Sequence, residues 1–354
     1  MNVEDELSLV HQAIKLAEQG HGTAEPNPLV GCIITDRNGV VIGEGFHENF
    51  GEEHAEINAL NQAGKSAKGG TAYVTLEPCN HQGKTPPCTE ALIGSEISRV
   101  VIGTKDPHNI ASGGIDTLLN AGITVDVLDD ALCKELLAPF ARKIQTGLPW
   151  VTCKWAQTKN GSLETPIGDS PWISSKESQQ LVHEERGCID AIVVGVGTVI
   201  ADNPSLTARG STAFRTPIRI VIDPNLRSPK EANIFNSEAP TIIACKKGQD
   251  TSSFSHCKIV ELPSNNGVLE LAPLFQHLVS EFDTTHVMVE GGATLFTHIF
   301  EQKLANELWI FVAPTVSNTE PIINMNTICK QLDTDCIHKD ICGVDTVLRY
   351  KINL

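Results

Sequence analysis

Apolar residues at Leu7, Val10, Ala13, Ile14 and Ala17 recur at helical spacing and predict a helix over 4–19 that stops at Gly20. Two apolar runs follow, at 30–35 and 40–43. The Asp36-Arg37-Asn38-Gly39 segment between them is a hairpin turn signal. A helix over 54–63 ends at Gly64, a strand covers 71–76, and a short helix covers 88–93. The spacing further predicts a strand over 99–104, a helix closing over 118–121, a strand over 123–128 and a helix over 130–142. After the opening hairpin, helices and strands alternate. That order predicts a three-layer α/β unit with a mostly parallel sheet.

The segment 143–149, with Gly147 and Pro149, reads as a linker, and the pattern then restarts. The expected domains are therefore 1–146 and 147–354. A strand is predicted over 150–156 and a helix over 176–185. Apolar runs at 190–195, 218–223, 241–245 and 286–290 suit a parallel sheet buried on both faces. Covering helices are expected at 268–282 and 293–300, and closing strands at 306–313 and 345–353.

Composition narrows the function. Hydrophobic residues make up 41% of the 354 positions, enough for two cores and too many for a disordered chain. Lys+Arg number 27 against 43 Asp+Glu, a net charge of -16, which argues against a nucleic-acid surface and against an anionic membrane partner. A small phosphorylated substrate stays compatible with a local cationic cluster. No apolar run approaches a membrane span, and the acidic start lacks the features of a secretory signal. Eleven scattered cysteines read as reduced thiols, some of them metal ligands, so a cytoplasmic location is expected.

The chemistry concentrates at His54-Ala55-Glu56, Pro78-Cys79 and Cys88. His-x-Glu followed by Pro-Cys and a second Cys is the zinc-deaminase signature. One imidazole and two thiolates fill three tetrahedral positions and leave the fourth for water, whose pKa falls to about 7. Glu56 is the candidate proton shuttle. Cys88 opens a predicted helix, where the dipole favours thiolate. On a regular helix His54 and Glu56 would point about 200° apart, so both reach one site only from an irregular first turn. The competing reading is a closed structural zinc site with His81 as fourth ligand.

In the second half the residues alone give weaker signals. Gly291-Gly292-Ala293-Thr294 lies between an apolar strand and a helix, where backbone N–H groups can meet a phosphate. Gly195-Val196-Gly197-Thr198 is a similar strand-end glycine pair.

Quoted in order, Pro26-Asn27-Pro28, Gly45-Phe46-His47, His54-Ala55-Glu56, Thr75-Leu76-Glu77-Pro78-Cys79, the eight-residue insert before Cys88, and Asp106-Pro107 resemble the deaminase half of the RibD family. These are bifunctional riboflavin-biosynthesis proteins. Lys154-Trp155-Ala156, Gly168–Ile173, Gly197–Pro204, Leu206–Arg209, Pro217–Asp223 and Val289–Leu295 resemble the reductase half of the same family. The resemblance covers about residues 4–315. It implies a cytidine-deaminase-like three-layer α/β/α domain followed by a dihydrofolate-reductase-like α/β domain. It implies one zinc, NADPH, a small phosphorylated pyrimidine substrate and a homo-oligomer.

Residue by residue, the resemblance implies that Asn27, His47, His81, Lys84 and Asp106 bind the deaminase substrate. NADPH contacts are implied for Ala156, Trp172, Thr198, Asp202, Gly292, Ala293, Thr294, Leu295, Phe296, Thr297 and His298. Lys154, Ser170, Arg186, Leu206, Arg209 and Glu290 are implied for the reductase substrate. Lys246 and Lys247 follow the predicted strand 241–245, at the end where ligands of open α/β sheets gather, and are candidates for the 2′-phosphate. The chain departs from the family's pattern at His108, Asn160, Asn203 and Asn306. Two other classes are a nucleoside or nucleic-acid deaminase with an unrelated second domain, and a non-enzymatic nucleotide binder with structural zinc. The long insert and acidic balance disfavour the first, and Glu56 disfavours the second.

Overall fold

Short apolar runs, their side chains alternating between two buried faces, form the central strands of two separate helix-covered sheets. The computed structural model describes residues 3–82, 86–108, 113–163, 172–210, 213–317 and 324–353. The chain divides into two units, Met1–Gly147 and Leu148–Leu354.

In the first unit α1 (Val3–Ala17) precedes β1 (Gly31–Thr35) and β2 (Val41–Phe46). Then come α2 (Ala55–Ala63), β3 (Thr71–Leu76), α3 (Cys88–Gly94), β4 (Arg99–Thr104), α4 (Gly114–Asn120) and β5 (Thr124–Val127). Helices α5 (Ala131–Leu136) and α6 (Ala138–Thr146) close it. The sheet order is β2-β1-β3-β4-β5, with β1 antiparallel to both neighbours and β3, β4 and β5 parallel. Ile33, Tyr73 and Val101 face α1 and α5. Their strand neighbours Cys32, Ile34, Ala72, Val74, Val100 and Ile102 face α2, α3 and α4. This alternation produces the three layers. Gly45 lets β2 approach α2 closely, since a Cβ there would collide with the backbone of Ala55 and Ala59.

The predicted helix over 130–142 is in fact two helices. Leu137 ends α5, and Pro139 sits in the first turn of α6, where its missing N–H costs nothing. The predicted linker is correspondingly shorter, because α6 runs to Thr146 and stops at Gly147 with φ 67°.

The second unit begins with β6 (Trp150–Gln157), α7 (Lys176–Arg186), β7 (Ala191–Gly195), α8 (Val196–Asp202), β8 (Ile218–Ile222), β9 (Thr241–Lys246) and β10 (Lys258–Leu262). A small ladder of β11 (Ser264–Asn265) and β12 (Val268–Leu269) follows. Next are α9 (Ala272–Phe282), β13 (His286–Glu290), α10 (Ala293–Glu301), β14 (Glu307–Val312), α11 (Met325–Cys329), β15 (Thr334–Cys342) and β16 (Asp345–Ile352). The helix predicted from 268 thus starts at Ala272, its first residues being strand. The main sheet runs β10-β9-β8-β7-β13-β6-β14-β16-β15, parallel except where β16 pairs with β14 and β15. Its two faces carry separate cores, one under α9 and α10 and one under α7 and α8.

The three asparagine departures each hold backbone. Asn306 Oδ1 accepts from Val151 N at 3.0 Å and ties β14 to β6. Asn203 ends α8 with φ 43° and pairs with Asn233 through bonds of 2.8 and 3.0 Å. Asn160 accepts from Ser317 N at 3.0 Å while its Nδ2 donates to Ser317 O at 3.0 Å. An aspartate cannot make that second bond. Asn160→Asp is therefore expected to destabilise the second unit by about 1–2 kcal/mol, read as a lower urea midpoint of that unit. An unchanged midpoint would contradict this reading of the pair.

Candidate active site

His54 stands at the N-cap of α2 with extended backbone, φ -77° and ψ 165°, and Glu56 occupies the buried first turn. This removes the helical-wheel conflict, because His54 is outside the helix proper. Cys79 follows β3 and Pro78, and Cys88 is the first residue of α3. His54 Nδ1 lies 3.5 Å from Cys79 Sγ and 3.3 Å from Cys88 Sγ. Tetrahedral zinc with ordinary Zn–N and Zn–S bonds would place N and S about 3.6 Å apart. The donor set and its spacing therefore fit zinc. Among the described residues no fourth side chain joins these three. His81 lines the adjoining cavity instead, so the closed structural site loses its ligand.

The Glu56 carboxylate is 3% exposed and within hydrogen-bonding reach of the Cys88 thiol. Burial first, and the charge of Cys79 next, push its pKa up. The hydrogen bond from Cys88 is the main force holding the Cys79 thiol down at about 4, while Cys88, the donor to that thiolate, is pushed up.

These groups open on a cavity of about 330 Å³ lined by Asn27, His47, His81 and Asp106 among others. The His47 tautomer is fixed by its partners. Nδ1 donates to the Glu53 carbonyl at 3.0 Å, and Nε2 accepts from Asn27 Nδ2 at 2.9 Å. Burial holds His47 below its ordinary pKa. Lys84 falls outside the described residues. Glu77 stands in the Thr75–Cys79 motif, where the sequence assigns it no role. It is buried and accepts from the backbone N–H groups of Asp106, Gly113 and Ile115 at 3.3, 3.1 and 3.2 Å. It thereby fastens the segments around Asp106 and the start of α4 beside the cavity. The signal for it was an acid at a strand end next to Pro-Cys.

In the second unit Glu290 ends β13 opposite Lys154 on the adjacent parallel strand β6. Arg186 binds Glu290 bidentately at 2.8 and 2.9 Å, and Lys154 Nζ lies 3.3 Å from the same carboxylate. Burial alone would raise the Glu290 pKa, but Arg186 and Lys154 outweigh it and hold it at about 2. Burial lowers the Lys154 pKa against the pull of Glu290. Arg209 is exposed, and Ser170 lies outside the described residues.

The predicted NADPH segment is only partly available. Leu295 and Phe296 are buried against the sheet, so their side chains serve the core and any contact from them is through backbone. The same holds for Leu206, buried in the opposite core. Gly292 is the N-cap of α10, no side chain caps that helix, and a Cβ at Gly292 would meet open space. Thr294 is exposed beside it, Thr297 Oγ1 donates to Ala293 O at 2.9 Å, and His298 is half-buried. This helix start suits a pyrophosphate. Thr198 and Asp202 lie on α8, which follows the neighbouring strand end at Gly195. Ala156 is half-buried on β6, and Trp172 is 63% exposed. Lys246 closes β9 with Nζ 3.0 Å from Asn225 Oδ1, and Lys247 is exposed.

A zinc-ligand trio with a buried glutamate in one unit, and a charged cluster at parallel strand ends in the other, define a zinc-dependent deaminase joined to a dihydrofolate-reductase-like reductase. Family comparison agrees. Residues 3–104 match the cytidine and deoxycytidylate deaminase zinc-binding region, and residues 149–322 match the RibD C-terminal domain. The chain is 42% identical over 307 residues to riboflavin biosynthesis protein RibD of Aquifex aeolicus, covering 86% of this chain and 85% of that one. It is 35% identical over 325 residues to the Escherichia coli protein of that name, covering 87% and 88%. Acinetobacter baumannii RibD superposes with a TM-score of 0.83 at 32% identity over 100% of both chains. The Thermotoga maritima diaminohydroxyphosphoribosylaminopyrimidine deaminase/5-amino-6-(5-phosphoribosylamino)uracil reductase does so with a TM-score of 0.84 at 30% identity over 99% of both. The chain belongs to the RibD family, the bifunctional deaminase–reductases of riboflavin biosynthesis, with zinc and NADPH as cofactors. Among the described residues no helix is long and apolar enough to cross a membrane.

Proposed function

We propose that the first unit deaminates 2,5-diamino-6-ribosylamino-4(3H)-pyrimidinone 5′-phosphate and that the second reduces the ribosyl group of 5-amino-6-(5-phosphoribosylamino)uracil to ribityl. The observation that carries the reading is the three-ligand cluster beside a buried Glu56, open to a cavity of substrate size. His54, Cys79 and Cys88 hold one zinc per chain. When bound, the metal supplies a water acidic enough to react near neutral pH. Glu56 takes a proton from the attacking water and returns one to the departing amine, which leaves as ammonia. Asn27 and neutral His47 form a fixed polar pair at the cavity wall that orients the pyrimidine. His81, Lys84 and Asp106 complete its contacts.

In the second unit NADPH, when bound, would supply hydride to C1′ of an open-chain imine, whose electrophilic sp2 carbon hydride requires, and a proton taken up from solvent at the imine nitrogen completes the amine. Lys154, Arg186 and Glu290 hold the ribosyl end, assisted by Arg209, Ser170 and the Leu206 backbone. The Gly292–His298 segment, Ala156, Trp172, Thr198 and Asp202 bind the cofactor. The two activities are separable: Glu56→Gln enzyme given deaminated substrate is expected to oxidise NADPH at the wild-type rate. Failure to do so would contradict independent sites.

Lys246 and Lys247 bind the 2′-phosphate. An exposed charge-assisted contact contributes about 1–2 kcal/mol. Replacing both by Ala is therefore expected to raise KM for NADPH several-fold to about tenfold and to leave KM for NADH unchanged. Equal effects on the two cofactors would place the lysines elsewhere.

The scattered cysteines read as reduced thiols, which supports a cytoplasmic location. Exposed Ile341 and Val344 on the outermost hairpin support a homo-oligomer. Sedimentation as a monomer would remove that part of the reading.

A further inference from the structure

Arg219, at the start of β8, is completely buried, and among the described residues it forms no ion pair, although the charge of Glu238 acts on it. Its guanidinium instead gathers chain from two loops. Nη1 donates to Ser205 O at 3.3 Å and to Asn236 Oδ1 at 2.8 Å, and Nη2 donates to the carbonyls of Asn236 and Ala239 at 2.6 and 2.5 Å. A buried cation bonded only to carbonyl and amide oxygens, with its Nε left without a partner, is an expensive way to hold a loop, and core packing alone does not call for it.

The loop it holds is unusual. Leu206, next to Ser205, has φ 52°, a left-handed conformation that a bulky residue adopts only when its surroundings impose it. The Leu206 side chain is anchored in the core, and residues 203–209 form neither helix nor strand. The far end of the loop is fastened separately, by the Asn203–Asn233 pair. Arg219 therefore governs the stretch from Ser205 onward, and the end next to α8 has its own clamp.

We propose that Arg219 is a positioning residue of the reductase site, fixing the 205–209 loop so that the Leu206 backbone and Arg209 meet the phosphoribosyl pyrimidine. This rests on the assignment of that loop to the substrate. It touches neither substrate nor cofactor itself, and it acts on one of the two ligands only.

The test is steady-state kinetics of the full-length chain with 5-amino-6-(5-phosphoribosylamino)uracil and NADPH. Arg219→Lys keeps the charge but cannot reach all four acceptors. Asn236→Ala removes one acceptor on an exposed residue and decides the matter if Arg219→Lys does not fold. Arg219→Lys is expected to raise KM for the pyrimidine about tenfold, and Asn236→Ala to raise it less. The KM for NADPH and ammonia release by the first unit should stay at wild-type values. An unchanged pyrimidine KM in both variants, or equal rises for pyrimidine and NADPH, would overturn the proposal. A wild-type chain that does not oxidise NADPH with the deaminated substrate would overturn the underlying reading, and the proposal with it.

Discussion

Glu56→Gln enzyme is expected to keep its zinc and lose deamination by a factor on the order of 10²–10⁴. Glutamine fills the volume of the buried glutamate and still bonds to its neighbours. What it lacks is a basic oxygen that can take a proton and give it back. The residue sits at 3% exposure beside Cys88, so bulk water cannot easily replace it as a shuttle. Burial raises the Glu56 pKa above its ordinary value, and glutamine matches the carboxyl in shape. An amide there therefore disturbs packing little. Ammonia release measured alongside metal content separates the two effects. Wild-type turnover by the variant would refute the role. Loss of zinc together with activity would show that Glu56 acts on the metal site instead.

Removing both thiolates has the second large effect. Cys79→Ala with Cys88→Ala is expected to leave less than a tenth of the wild-type zinc and no measurable deamination. One imidazole does not hold zinc against competing ligands, and no further side chain stands ready among the described residues. The small cavity left at buried Cys88 costs stability as well, on the order of 1–3 kcal/mol, and the cost at half-buried Cys79 is smaller. Zinc per chain should therefore be measured on protein shown to be folded by circular dichroism. NADPH oxidation by the second unit should persist, since that unit has its own sheet and cores. Stoichiometric zinc in the double variant would sink the ligand assignment.

Much of the first unit was legible because its signals are local. Short apolar runs on β1, β3 and β4 and the glycine stops mark strands buried on both faces, and the zinc signature lies within 35 residues of chain. The His-x-Glu conflict was also legible as a conflict. Only the backbone of His54, extended at the N-cap, shows how it resolves. The break at Pro139 could have been read from the proline itself, but the apolar spacing continues through it and masked the boundary.

In the second unit the deciding contacts are long-range. Glu290 meets Arg186 104 residues away and Lys154 136 residues away, and no periodicity encodes that meeting. Leu295 and Phe296 lie inside a motif that suggests ligand contact, yet helical spacing turns their side chains to the core. Strand β15 carries almost no apolar alternation, being exposed along most of its length, so nothing in its pattern announces a strand. The asparagines at 160, 203 and 306 look like losses of charge in the sequence. In the fold they are hydrogen-bonding choices, each matched to a backbone partner.

The most direct test of the account is made on one purified sample: zinc per chain, ammonia released from the diaminopyrimidine phosphate, and NADPH then oxidised. One zinc per chain, one ammonia per substrate and one NADPH per ammonia are expected. Ammonia release that survives complete removal of zinc by chelation, or a zinc-replete chain that releases none, would contradict the account.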